Sequence, residues 1–132
     1  MIKIEHNNQV YAIIIPAEFE KDGIEFFTPN DYSQQLAYMK RPRGYKIQPH
    51  THKSIQREVT NTLETLLIKK GRLRVDIYSD KQKYLSSYEL KTGDVILLIS
   101  GGHGFEMLED TEIIEVKQGP YIGDQDKIRF KI

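Results

Sequence analysis

Short runs in which apolar and polar residues alternate dominate the chain, and Gly, Pro, Asn and Asp separate them. Successive side chains of a β-strand point to opposite faces, so this period of two predicts an all-β domain. Ten strands are predicted, at residues 10–15, 23–27, 35–40, 45–52, 62–69, 72–79, 84–90, 94–99, 104–108 and 111–117. Turn-forming residues at 70–71, 80–83 and 109–110 predict tight hairpins between consecutive antiparallel strands. A β-sandwich or barrel of the jelly-roll type follows.

Three histidines and one carboxylate stand out against this background. His50 and His52 are two residues apart in a predicted strand, so both imidazoles would lie on one face and could reach one metal ion. Glu64 opens a Glu-x6-Gly run that ends at Gly71, and His103 follows an apolar strand within a Gly-Gly-His-Gly-Phe sequence. Three neutral imidazoles and a carboxylate suit Fe, Mn, Ni or Zn as divalent ions. The sequence therefore predicts one transition-metal site with these four ligands.

The same residues resemble the two motifs of the cupins, G-x5-H-x-H-x(3,4)-E-x6-G and G-x5-P-x-G-x2-H-x3-N, and the segment 44–107 covers both. The resemblance implies a single cupin jelly-roll β-barrel domain over residues 1–132, with its metal-site core at 44–107. The chain departs from the pattern in detail. Eleven residues separate His52 from Glu64, Ile99 stands at the proline position, and Met107 replaces the asparagine.

Glu58 is the alternative carboxylate ligand, because it lies closer to the usual spacing after the histidine pair. We favour Glu64, which keeps the six-residue spacing to Gly71 and begins the apolar run 65–68. Glu58 lies instead in the polar stretch 56–61. The long segment 53–61 is predicted to close over the metal as a binding loop.

The segments 72–76, 93–98, 102–110 and 115–121 are similar to those of short single-domain cupins found beside genes for nucleotide-sugar and polysaccharide synthesis. This resemblance implies a small-molecule, sugar-like ligand and an isomerase or epimerase activity. A base is then required, and Glu106, Glu58 or a metal-bound hydroxide could supply it. Two alternatives stay open, an Fe(II)-dependent dioxygenase and a non-catalytic sugar-binding or metal-binding module.

The residues predicted to contact the ligand are polar or aromatic and fall in the segments expected around the metal: Gln35, Tyr38, Gln48, Arg57 and Phe105. Arg57 is the only arginine of the segment 53–61, and its planar guanidinium suits a carboxylate or phosphate. Of strand 35–40, either the face with Gln35 or the face with Tyr38 could line the pocket.

Composition narrows the function classes only slightly. Nineteen basic and nineteen acidic residues balance, so the net charge does not indicate a nucleic-acid partner. The chain has no cysteine, which excludes disulfides and thiolate ligands. No segment has the length and apolar character of a signal peptide or membrane span, and a cytoplasmic protein is expected. The segment 10–15 is apolar on both faces, which predicts a homodimer with this segment at the interface.

Overall fold

The computed structural model describes residues 1–132, and it consists of ten β-strands and the turns that join them. There is no α-helix, and one turn of 3-10 helix occupies Gly123–Asp126. No helix is therefore long and apolar enough to cross a membrane. The strands are β1 (Ile2–His6), β2 (Gln9–Ile15), β3 (Gly23–Phe26), β4 (Ala37–Lys40), β5 (Glu64–Lys70), β6 (Arg72–Tyr78), β7 (Tyr84–Lys91), β8 (Val95–Leu98), β9 (Gly102–Met107) and β10 (Glu112–Lys117). The all-β prediction is confirmed.

The chain forms two compact units. The first unit comprises Met1–Phe19 and Thr62–Ile132, and the second comprises Glu20–Asn61. In the first unit, a five-stranded sheet in the order β1-β2-β8-β5-β10 and a three-stranded sheet in the order β7-β6-β9 are both antiparallel. One apolar core contains side chains of both sheets, including Ile14, Ile68 and Ile96 from the first and Leu73 and Val75 from the second. The sheets do not close into a barrel.

Two of the predicted hairpins are crossings between sheets. Strands β5 and β6 are separated only by Gly71, yet β5 pairs with β8 and β10 while β6 pairs with β7 and β9. The segment 109–110 likewise joins β9 of one sheet to β10 of the other. The two crossings touch, because Thr111 Oγ1 donates to the carbonyl of Arg72 at 3.0 Å. The prediction of hairpins at 70–71 and 109–110 was wrong.

The hairpin at 80–83 is confirmed. It joins the antiparallel pair β6 and β7, and Gln82 has a positive φ of 64°. A second hairpin, absent from the sequence prediction, joins β1 to β2 through Asn7 and Asn8, with φ values of 50° and 62°. Two consecutive positive φ values fit a type I′ turn, whose twist matches that of the flanking strands.

Strand β2 lies inside the five-stranded sheet between β1 and β8. Both of its faces are buried, with Ile13 and Ile14 1% and 3% exposed. The apolar character of 10–15 is thus explained by burial within the chain. Strand β2 is not an edge strand that a partner has to cover, and homodimer formation stays a prediction that needs another surface.

The second unit contains one antiparallel pair, β3 with β4, and residues 45–61 carry no regular secondary structure. The predicted strand 45–52 is therefore wrong. Pro49 gives a physical reason, because proline lacks the N–H that a strand needs for its ladder.

An ion pair between the buried Asp76 and the partly exposed Arg74 lies on the face of the three-stranded sheet opposite the core. Asp76 is 8% exposed and accepts hydrogen bonds from Arg74 Nε and Nη2 at 2.9 and 3.1 Å. Ser87, which is opposite Asp76 on β7, donates a further bond of 2.5 Å. Arg74 also contacts Glu106 on β9 at 2.9 Å, so the network spans all three strands.

Replacing Asp76 with Asn is expected to lower the free energy of unfolding by about 1 to 2 kcal/mol near pH 7. Hydrogen bonds from Arg74 and Ser87 hold the pKa of Asp76 below its usual value. The carboxylate therefore stabilises the fold above the pKa of the unfolded state, and this contribution is lost as the pH falls through the lower pKa of the folded state. Urea unfolding from about pH 7 to about pH 3 should show the gap between wild type and variant closing below about pH 4.

The matched control is Asp110→Asn in an exposed turn of the same unit. It should change the unfolding free energy by less than about 0.5 kcal/mol. A gap for Asp76→Asn that stays constant down to low pH would show that the carboxylate charge is not what stabilises this face.

Candidate functional site

His50 and His52 lie in the second unit, in the irregular segment, and both are exposed. Their ring centroids are 5.3 Å apart with the planes at 72°. His50 Nδ1 lies 2.8 Å from the carbonyl oxygen of Gln48. A carbonyl can only accept, so Nδ1 carries the proton and Nε2 of the neutral ring keeps its lone pair for a ligand. Gln48 thus orients His50 through its backbone.

Glu64 and His103 lie together in the first unit. Glu64 begins β5 and His103 is the second residue of β9, so the two side chains come from different sheets. His103 Nε2 is 3.9 Å from Glu64 Oε2, and the side chains are 29% and 14% exposed. Side-chain alternation predicts that Leu66 and Ile68 face inward if Glu64 does, and this is confirmed, since both are in the core.

Glu115 on β10 joins this pair and was not found from the sequence. It is opposite Leu66, which places it diagonally across from Glu64 on the same face of the sheet. Burial raises the pKa of Glu64 to about 7, and the hydrogen bond and charge of Glu115 act in the same direction. Near neutral pH the Glu64 carboxyl group is therefore partly protonated, a state suited to giving and taking a proton.

The imidazole of His103 is neutral at the same pH. Burial lowers its pKa, and the charges of Lys127 and Lys117 add to this effect while Glu115 opposes it. The contact between His103 and Glu64 is therefore not an ion pair. A neutral ring can coordinate a cation or accept a proton.

The C-terminal segment borders the same group of side chains. Asp126 accepts a hydrogen bond from the hydroxyl of Thr62 and a second from Lys117 Nζ at 3.3 Å. The bond from Thr62, helped by Lys117, holds the pKa of Asp126 below its usual range. Glu64, His103, Glu115 and Lys117 are called the Glu64 cluster below.

Of the two predicted bases, the one in the first unit, Glu106, points away from this cluster. Glu106 is on β9 opposite Arg74, on the other face from His103, and forms an ion pair with that arginine. Glu58 lies in the exposed irregular segment of the second unit, as does Arg57. Within the first unit, Glu115 is the carboxylate that accompanies Glu64 and His103.

The residues predicted to contact the ligand lie in different parts of the chain. Phe105 follows His103 on the inner face of β9, with ring centroids 5.6 Å apart. Gln35 holds its own loop, because its amide nitrogen donates to the carbonyls of Pro29 and Tyr32 at 2.9 Å and its oxygen accepts from Thr28. Gln35 therefore has a structural role in the second unit.

Tyr38 is half-buried on β4, between the exposed Ala37 and Met39. Of the two faces of segment 35–40 that the sequence left open, the one with Tyr38 is the more buried.

The glycines before His103 have structural roles. Gly101 has a φ of +69°, and a Cβ there would lie 2.3 Å from the carbonyl oxygen of Tyr78. At Gly102 the missing side chain leaves room for the ring of Phe130, which packs edge to face on Tyr78 at 5.1 Å. Phe130 thereby anchors the end of the C-terminal segment to the three-stranded sheet.

In neither unit do three or more His, Asp or Glu side chains converge in a geometry that could hold a metal ion. The structure shows instead two pairs of donors, His50 with His52 and Glu64 with His103. Compared with protein-family models, with curated proteins and with solved structures, the chain matches none.

Proposed function

We propose that the protein is a metal-dependent enzyme of the cupin jelly-roll type, located in the cytoplasm, that isomerises or epimerises a small sugar-like molecule. The observation that carries the proposal is the Glu64 cluster, in which the half-buried Glu64 and His103 lie 3.9 Å apart and the exposed Glu115 approaches Glu64 from a third strand. Buried ionisable groups with shifted pKa values concentrate at functional sites.

The donors present fit a divalent Fe, Mn, Ni or Zn ion. The proposed ligands are Glu64 and His103 in the first unit and His50 and His52 in the second, because neutral imidazoles and a carboxylate suit these metals. The tautomer of His50 is set by the Gln48 carbonyl, as is usual for a metal-binding histidine. When bound, the ion would supply Lewis-acid activation of a carbonyl or hydroxyl oxygen.

The residues of this chain supply the proton chemistry in the proposal. Isomerisation requires a base that takes a proton from the carbon beside the substrate carbonyl and returns it to a neighbouring position. Glu115 is assigned this role, since its hydrogen bond to Glu64 lets a proton move between the two carboxyl groups. Phe105 provides an apolar wall beside His103, and Arg57 is proposed to contact an acidic group of the substrate.

The first experiment is elemental analysis of protein purified without an affinity tag, followed by incubation with keto-sugars and nucleotide sugars in D2O. Bound metal together with deuterium entering one carbon position of a sugar would support the proposal. Bound metal with consumption of O2 instead would replace isomerisation by oxygenation. A protein that neither retains nor takes up Zn or Mn would contradict the metal proposal.

Glu115→Gln is expected to reduce deuterium incorporation by roughly 10²-fold or more while leaving metal content unchanged, because the amide cannot accept a proton. Proton NMR of the substrate measures the exchange. Glu106→Gln, on the opposite face of β9, is the matched control and should exchange at the wild-type rate. Equal rates for wild type and Glu115→Gln would remove Glu115 from the mechanism.

A further inference from the structure

Strand β10 forms an edge of the five-stranded sheet, since it pairs only with β5. On the face opposite the Glu64 cluster it carries Ile114 and Val116, which are 48% and 59% exposed. Leu67, opposite Ile114 on β5, extends this apolar surface and is 37% exposed. An edge strand with β-branched apolar residues and no proline is a template for pairing with another strand.

One hydrogen bond shows which backbone N–H and C=O groups of β10 point away from β5 and are available to another strand. The N–H of Gln118 donates to the carbonyl of Leu63 at 3.0 Å, so residues 114, 116 and 118 direct their N–H and C=O groups towards β5. The groups of Ile113, Glu115 and Lys117 therefore point to the free edge. These three residues can form hydrogen-bonded pairs with an added strand.

We propose that the occupant of this edge is β10 of a second copy of the chain, paired antiparallel about a two-fold axis at Val116. A two-fold axis perpendicular to the sheet keeps the apolar faces of both copies on the same side. Facing residues must then both be even-numbered or both odd-numbered, because side chains alternate along a strand. The possible centres are then Ile114, Glu115 and Val116.

Charge selects among the three registers. A centre at Glu115 places this carboxylate opposite its own copy, which is unfavourable. A centre at Ile114 places Glu115 opposite an isoleucine. A centre at Val116 places Glu115 of each copy opposite Lys117 of the other, and this occurs twice across the axis.

The same register continues the apolar surface across the axis. Val116 of one copy faces Val116 of the other and lies diagonal to its Ile114, with Leu67 beside Ile114 on β5, and the two five-stranded sheets become one ten-stranded sheet. Lys117 of the second copy would also lie beside Glu115, so each copy places a cation next to the other's Glu64 cluster. The dimer is thus predicted to affect both assembly and site.

Disulfide trapping tests the register, because the chain contains no cysteine of its own. Val116 faces itself at a non-hydrogen-bonded position, where Cα atoms are about 4.5 Å apart, within the range of a disulfide. Oxidised Val116→Cys should therefore run as a covalent dimer on a non-reducing gel. Ile114→Cys would face Gln118 and should remain monomeric on the gel.

Sedimentation velocity tests the interface without cysteines. The wild-type protein should shift from monomer to dimer between about 5 and about 200 µM. Ile114→Lys combined with Val116→Lys should stay monomeric with an unchanged circular dichroism spectrum. The control is Ile128, an isoleucine outside the sheet that is 85% exposed. The Ile128→Lys variant should still dimerise. A wild-type monomer at about 200 µM would overturn the proposal, and a disulfide formed by Ile114→Cys alone would overturn its register.

Discussion

Replacing His103 with alanine should lower the affinity for Zn or Co by roughly 100-fold or more, since removal of a ligand costs at least as much as removal of its supporting contacts. The imidazole is neutral in the fold and 3.9 Å from the Glu64 carboxylate, so it contributes a lone pair without first losing a proton. Competition with a chromophoric chelator, or the visible spectrum of Co, measures the change. Glu64→Gln should have a comparable effect, because an amide oxygen is a weaker donor than a carboxylate.

Histidine itself has to be controlled for, because any exposed imidazole binds these ions weakly. His6→Ala is the matched variant, since this residue ends β1 and is exposed. Its metal affinity should equal that of the wild type. If His103→Ala binds metal as tightly as His6→Ala, the Glu64 cluster is not the metal site, and the exposed pair His50 and His52 alone would explain any binding.

Gly71→Ala is expected to lower the free energy of unfolding by about 4 kcal/mol, because it combines strain at a positive φ with a clash against backbone atoms. Gly71 has a φ of +102°, and a Cβ there would lie 2.5 Å from the carbonyl oxygen of Asp110. The Cα of Thr111 would be 2.8 Å away. Backbone occupies this space at both points, so a side-chain rotation cannot relieve the clash.

Two further glycines separate the contributions to that loss. Gly123 also has a positive φ, +68°, but has open space around it, so Gly123→Ala measures the conformational strain alone. Gly104 has neither feature, and Gly104→Ala should be close to neutral. Urea unfolding of the three variants should rank the losses Gly71, Gly123, Gly104. A loss at Gly71 no larger than at Gly123 would show that the two sheet crossings do not pack as closely as the structure indicates.

Local pattern predicted nine of the ten strands in the structure. The exceptions have local causes. Strand β1 was missed although Ile2 and Ile4 alternate and Asn7 follows. The segment 45–52 alternates but includes Pro49, and it has no partner strand. Alternation records which face of a segment is apolar, whereas a strand also requires a neighbour with free N–H and C=O groups.

Strand partners could not be obtained in the same way. A single residue, Gly71, separates β5 from β6, and such a short connection is typical of a hairpin. In the structure it carries the chain from one sheet to the other, because the apolar faces of both strands are buried in the core between the sheets. The length of a connection does not show whether a hairpin within one sheet or a crossing between two sheets buries more apolar surface.

The sequence by itself determined the parity of the site residues. Once Glu64 and His103 were taken to face inward, Leu66, Ile68 and Phe105 had to follow, since side chains alternate strictly along a strand. Only the tertiary structure decided that Glu115 lies beside Glu64 and that Glu106 faces away to Arg74. Those contacts depend on the register between strands distant in the chain, and registers are set by long-range packing that no local pattern contains.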